Sequence, residues 1–257
     1  SVLRGEYRHI DPATVRVVLL DAVDSVLAGF APTLRKRAER DLGRLGVDVR
    51  LNSPVTGVDR DGVTVGAVGG RDGAGSLRIS ARTVIWAAGV KASALGSLLA
   101  EQSGAAIDRA GRLHVNPDLT LPGHPEVFAL GDMIAIPDVP GTAQPAIQEG
   151  KYVAHVVRRR LAGEPTDKPF KYLNLGMMAV IGRTRAVADL FGRVRIGGTI
   201  AFLIWGGIHL AYLVGWGNRF EAVTRWMWTL LARNRRERLI IDIASAPGEP
   251  AAIAPGS

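Results

Sequence analysis

Val15-Arg16-Val17-Val18-Leu19-Leu20, followed at once by Asp21, is the stretch on which the fold turns. It is short, almost wholly apolar and rich in β-branched valine, which predicts a strand buried on both faces of a parallel sheet. Downstream, Pro32 opens a helix in which Leu34, Ala38, Leu42 and Leu45 make an apolar stripe, with Gly46 at the stop position. A second strand is expected over 47–51. Residues 55–58 and 63–65 are joined across Asp61-Gly62, a favoured hairpin turn, and 77–79 adds a third strand after the glycine-rich loop 66–76. Residues 83–87 (TVIWA) then return as a buried strand and run into Ala88-Gly89.

The order βαβ, β-meander, β predicts an α/β chain of the Rossmann-like, dinucleotide-binding kind without its first strand, first glycine turn and first helix. At 257 residues, 47% hydrophobic and 22% charged, the chain has enough apolar material for one large or two ordinary domains, and general disorder is excluded. No cysteine is present, so disulfides and thiolate metal sites are excluded as well. The first ten residues carry Arg4, Glu6, Arg8 and His9, which is not a secretory signal. The chain opens on Ser1 rather than Met, as expected of a piece of a longer protein.

Four features carry chemistry. Asp21, at the carboxyl end of the first strand, stands where such folds place an acid that hydrogen-bonds both hydroxyls of an adenosine ribose and repels a 2′-phosphate; strand-ending Asp residues are also common turn formers. Ala88-Gly89-Val90 puts small residues at a strand exit, where backbone can approach a flat ring or a pyrophosphate. Val127-Phe128-Ala129-Leu130-Gly131-Asp132 anchors a glycine that permits close approach and a carboxylate free to accept from a sugar or ribityl hydroxyl. Ala143-Gln144-Pro145-Ala146-Ile147-Gln148-Glu149-Gly150 begins a helix expected over 143–161, whose positive end suits an anion and whose Gln144 and Gln148 share a face. A glycine fingerprint of the GxGxxG type is absent: Gly73-Ala74-Gly75 starts one, but Arg78 takes the last glycine position.

Beyond Glu164-Pro165 the character changes. Residues 196–217 (IGGTIAFLIWGGIHLAYLVGWG) are 22 positions without a formal charge, long enough to span a bilayer. Phe220, Val223, Met227, Leu230 and Leu231 then form one helical face, with Trp226 and Trp228 beside it and Arg225, Arg233, Arg235, Arg236 and Arg238 around it, the pattern of a helix lying in a membrane interface. Six glycines inside the uncharged run lower its helix propensity, and the tryptophans suit an interface, so a spanning and an interfacial reading both stand on composition. The net charge of +8 leaves anionic partners open, but the basic residues gather around an apolar, Trp-bearing segment, which suits anionic lipid better than nucleic acid.

These residues together resemble the type II, non-proton-pumping NADH:quinone oxidoreductases of the two-dinucleotide-binding flavoprotein superfamily. The likeness runs from LLDA (19–22) through TVIWAAGV (83–90), VFALGD (127–132) and AQPAIQEGKYVA (143–154) to the carboxyl-terminal region. It implies a truncated pyridine nucleotide-disulfide reductase fold: a partial NADH-binding domain over 1–100, the carboxyl-terminal part of an FAD domain over 101–165, a quinone-site and membrane-anchoring region over 166–244 and a disordered tail over 245–257. By resemblance, Asp21 binds the NADH ribose and Ala88, Gly89 and Val90 line the nicotinamide. Gly131 and Asp132 hold the FAD ribityl chain, Ala143 and Gln144 lie against the isoalloxazine, and Gln144, Gln148 and Arg183, the last at the end of GMMAVIGR (176–183), border the quinone. No metal and no catalytic acid–base triad is implied.

The resemblance further implies a ping-pong cycle in which NADH gives a hydride to the flavin and the flavin passes two electrons and two protons to a membrane quinone. The protein would sit on the inner membrane, peripheral or monotopic on its cytoplasmic face, touching anionic lipid; a homodimer is left open. With both glycine fingerprints absent from this stretch, the chain by itself is expected to hold flavin weakly and to be inactive. Two other readings stand beside this one: another flavoenzyme of the superfamily, or a membrane-binding module without catalysis. Sulfide:quinone reductases share the architecture, but their chemistry needs cysteine.

Overall fold

The computed structural model describes residues 14–66, 75–89, 91–166 and 168–232, which gather into two compact units, one from the segments before 86 and after 175 and the other from 86–175. The first unit opens with β1 (Val17–Leu20), α1 (Pro32–Arg44) and β2 (Val47–Arg50). β1 and β2 pair in parallel from Val17 opposite Val47 to Leu20 opposite Arg50, the expected βαβ arrangement. α1 starts on Pro32, where a missing N–H costs nothing, and stops before Gly46 at φ +81°. Leu34 and Ala38 are buried as the stripe requires. The third buried position is Asp41, while Leu45 is exposed.

Two expectations for strands are corrected. β1 has a neighbouring strand on one edge only among the described residues, and Val17 is exposed, so the strand is not covered on both faces as expected. Residues 83–87 form no strand at all, and Ile85 is 84% exposed. An apolar, β-branched run makes a strand only where another strand offers it hydrogen bonds, and none among the described residues does so. By contrast β3 (Val55–Asp59), β4 (Gly62–Val65) and β5 (Leu77–Ser80) form the antiparallel meander that the turn signals predicted.

The second unit holds α2 (Ala94–Ser103), the short strands β6 (Leu113–His114), β7 (Thr120–Leu121), β8 (His124–Phe128) and β9 (Ile134–Ala135), and α3 (Ala143–Leu161). A 3-10 turn, Gly131–Met133, separates β8 from β9. β7 pairs antiparallel with β8, and β6 parallel with β9. Leu113, Leu119, Leu121, Ala129 and Ile134 make the core, with Tyr152, Val153 and Phe170 packed against it. α3 occupies the residues read from the sequence, with Pro145 in its first turn and Arg158, Arg159 and Arg160 in its last.

Returning to the first unit, β10 (Gly176–Gly182), β11 (Arg185–Leu190) and β12 (Val194–Gly198) form a second antiparallel meander. Alternation along β11 makes it the middle layer. Val187 packs with Phe30 and Leu34 beside α1, whereas Ala186 and Ala188 meet Ala201 of α4 (Thr199–Tyr212) on the other face. Gly176, with φ +102°, starts β10 where an added Cβ would lie 2.0 Å from the carbonyl oxygen of Asp189. Gly176→Ala is therefore expected to cost at least about 2 kcal/mol, seen as a lowered thermal midpoint of the full-length protein; an unchanged midpoint would refute this account of the turn.

The 22-residue uncharged run is not one helix. It is divided among the end of β12, α4, a turn at Leu213–Gly215 and the start of α5 (Trp216–Ala232). Gly198 at φ +86° and Gly215 at φ +87° mark the two breaks. Among the described residues no helix is long and apolar enough to cross a membrane. α4 and α5 are held together by Trp205 stacked on Trp226 at 5.7 Å and by Arg219, which donates to the carbonyls of Ala211 and Leu213 and lies over the Trp216 ring. Arg233, Arg235, Arg236, Arg238 and the tail expected to be disordered, 245–257, lie outside the described residues.

Candidate functional site

The second unit builds a site at the junction of β8 and α3. β8 ends at Phe128, Ala129 is buried in the core, and the chain turns sharply at Gly131, whose φ is +74°. A side chain there would be strained, so the glycine is required by the turn that presents Asp132. The Asp132 carboxylate is exposed and has no hydrogen-bond partner among the described residues. Opposite it, α3 begins after Thr142, whose hydroxyl makes no cap, and no acidic residue stands in the first turn. The N–H groups of Ala143 and Gln144 therefore face outward unpaired by the helix itself. Gly131, Asp132, Thr142, Pro145, Ala146 and Glu149 belong to the lining of one shallow depression of about 10 Å³.

Each amide of the predicted pair has its own fate. The Oε1 of Gln144 is buried and accepts no hydrogen bond among the described residues, an unused acceptor where a ring N–H or a hydroxyl could donate. Gln148 is paired with backbone: its Nε2 donates to the Leu173 carbonyl at 3.0 Å and its Oε1 accepts the Leu173 N–H at 2.9 Å. Helical spacing put the two on one face correctly, but the backbone at Leu173 captures the second. The residue that sequence reasoning passed over is Glu149. It is 2% exposed, and its Oε2 accepts the Gly131 N–H at 2.5 Å. Burial pushes its carboxyl above the usual carboxylate range; the Gly131 N–H opposes that shift, and the Asp132 charge adds to it.

Other predicted residues fall elsewhere. Asp21 ends β1 as expected; its N–H continues the parallel pairing to the Arg50 carbonyl, and its Oδ1 accepts the Val23 N–H at 3.2 Å. The turn-former role is thus present, and it occupies one of the two carboxylate oxygens. Ala88 and Gly89 are exposed, Gly89 at φ +90°; Val90 lies outside the described residues. Arg183 follows β10, and its guanidinium donates to the backbone carbonyl of Thr229 on α5. Asp21 and Arg183 belong to the first unit, and Asp132, Gln144 and Gln148 to the second.

Residues 9–150 match the family model described as pyridine nucleotide-disulphide oxidoreductase. The chain is 46% identical over 243 residues to the type II NADH:quinone oxidoreductase Ndh of Mycobacterium tuberculosis, covering 93% of this chain and 51% of that protein. It is 32% identical to the type II NADH:quinone oxidoreductase of Staphylococcus epidermidis, covering 80% and 52%. The chain thus spans about half the length of these relatives. Among solved structures, NDH2 from Plasmodium falciparum in complex with NADH superposes with a TM-score of 0.74 at 16% identity, covering 87% of this chain and 60% of that one. The sulfide:quinone oxidoreductase of Aquifex aeolicus does so at 0.60, also at 16% identity, covering 93% and 59%. At these identities the superpositions speak for the fold, which is Rossmann-like α/β.

Proposed function

Because the chain belongs to the pyridine nucleotide-disulphide oxidoreductase family, we propose that it serves a type II NADH:quinone oxidoreductase, in which electrons pass from NADH through FAD to a membrane quinone without proton pumping. The observation that carries this is the Asp132 site, read together with the likeness to the mycobacterial and staphylococcal enzymes. The residues present fit a flavin. Asp132 offers a free carboxylate to ribityl hydroxyls, Gly131 has no side chain to obstruct approach, and Gln144 keeps an orphaned buried acceptor.

When bound, FAD would supply the two-electron relay between nicotinamide and quinone. The residues of this chain bind and orient. The uncapped start of α3 stabilises negative charge beside the ring, and the Gln144 oxygen accepts from an N–H or a quinol hydroxyl. Gln148 forms the wall of the quinone side, its amide committed to Leu173. Asp21 takes the ribose of NADH with the carboxylate oxygen that the turn leaves over, and Ala88, Gly89 and Val90 line the nicotinamide. Arg183 stands on the quinone side by the same reading. We assign 1–100, 101–165 and 166–244 to the nicotinamide, flavin and quinone parts.

The exposed apolar residues of α4 and α5, among them Leu203, Trp216, Phe220 and Met227, favour attachment to one leaflet of the inner membrane on its cytoplasmic side. The test uses the full-length protein in isolated membranes. Anaerobic NADH should bleach the visible flavin band, and a short-chain quinone should restore it, whereas NADPH should bleach it far more slowly. A protein without flavin, or a flavin that NADH cannot reduce, would overturn the reading.

A further inference from the structure

Glu149 is a carboxylate in a place where burial alone would select an apolar residue. It lies in the second turn of α3, nearly sealed from solvent, and its Oε2 holds the backbone N–H of Gly131 across 18 residues of sequence. A buried carboxyl is costly unless a donor compensates it, and the donor here is the residue whose positive φ makes the turn beneath Asp132. Gly131 also opens the 3-10 turn, and the leading N–H groups of such a turn have no acceptor within it. Glu149 supplies one. The two carboxylates are thereby divided: one is committed to the backbone, and the other is left free at the surface.

We propose that Glu149 is a positioning residue for the cofactor: its carboxylate fixes the Gly131 turn and thereby aims Asp132 at the hydroxyls of the flavin side chain. This rests on the flavin reading above and adds to it a residue that need not touch the cofactor. Glu149 acts through a backbone bond. Its effect on flavin binding therefore depends on Asp132 being present to be aimed.

The test is a double-mutant cycle in the full-length protein, stripped of flavin and titrated with FAD by fluorescence quenching. Glu149→Leu, similar in shape but lacking an acceptor, is expected to weaken FAD binding about tenfold when Asp132 is intact. In the Asp132→Ala background the same change should cost less than about twofold, because nothing remains to be aimed. Equal losses in the two backgrounds would mean a general structural role and would overturn the proposal.

Glu149→Gln keeps an oxygen for the Gly131 N–H and should bind FAD within about threefold of the wild type. This variant decides the matter should the leucine variant not fold by circular dichroism: near-normal binding supports the proposal, and a tenfold loss overturns it. Wild-type protein that takes up no FAD defeats the underlying flavin reading. FAD uptake by the wild type that is indifferent to Glu149 defeats this proposal alone.

Discussion

Asp41→Ala is expected to destabilise the first unit by about 3 kcal/mol. Asp41 is 1% exposed on α1, and three guanidiniums converge on it: Arg44 and Arg185 at 3.2 Å on Oδ1, and Arg37 at 3.9 Å on Oδ2. Removing the anion leaves three cations facing one another beside a small cavity. All three arginines are partly exposed, so they can turn toward water, which holds the cost near the lower end for a broken buried ion pair.

The cluster also joins elements distant in sequence, since Arg185 on β11 reaches Asp41 from 144 residues away. Arg37 lies so close under β12 that a Cβ at Gly197 would come within 2.3 Å of its side chain. Asp41 therefore helps fasten the meander that carries α4 and α5 to the βαβ unit. Arg44→Ala, which removes one mostly exposed partner, should cost no more than about 1 kcal/mol. Chemical unfolding of the full-length variants checks the ordering. A midpoint for Asp41→Ala no lower than that for Arg44→Ala would show that the carboxylate is not the hub.

Asp41 also shows where a sequence stops being readable. At i+7 from Leu34 and i+3 from Ala38 it lies on the apolar face itself, yet charge alone argues for solvent; only the arrival of Arg185 makes burial affordable. The signal available was local, with arginines at i−4 and i+3 from one aspartate. α3 was legible to its ends because its signals lie within it: a proline in the first turn and arginines in the last. Residues 83–87 were not, because composition states what a strand needs and says nothing of whether a neighbour supplies it. Counting uncharged positions over 196–217 measured length but not continuity, and two glycines at positive φ cut the run.

At the candidate site the readable part was the turn and the carboxylate. The strand ends at Phe128, earlier than the VFAL run suggested, and Gly131 and Asp132 follow because apolar residues entering a core leave the next polar ones at its edge. The division of labour among Gln144, Gln148 and Glu149 was hidden. Helical spacing gives the face on which a side chain starts, whereas its partner depends on segments such as 171–175 that carry no periodic pattern. Glu149 could have been suspected only from an acidic residue set among the small and apolar neighbours of a helix expected to be packed.

Replacing Phe220 and Met227 together by aspartate is expected to lower the affinity of the protein for phospholipid vesicles by at least about a hundredfold. The two residues are seven positions apart on α5, so with Trp216 and Val223 they share one face, and all four are exposed. Burying an apolar side chain of this size contributes about 1.5–3 kcal/mol; taking the lower value for each because insertion into an interface is partial, two losses sum to about 3 kcal/mol. Attraction of arginine to anionic lipid is weaker, about 1 kcal/mol for each residue near the surface. Arg219 and Arg225 are in addition engaged, the one by the carbonyls that end α4 and the other by Glu221 at 2.9 Å. Over the described residues of α5 the apolar term therefore exceeds the charge term, and the difference between wild type and double variant should survive salt concentrations that screen surface charge. Because neither residue is buried, the fold should be unaffected, with a thermal midpoint close to the wild type. Vesicle flotation at low and high salt separates the contributions: wild-type binding abolished by salt alone, or undiminished binding of the double variant, would show that this face of α5 is not the membrane surface.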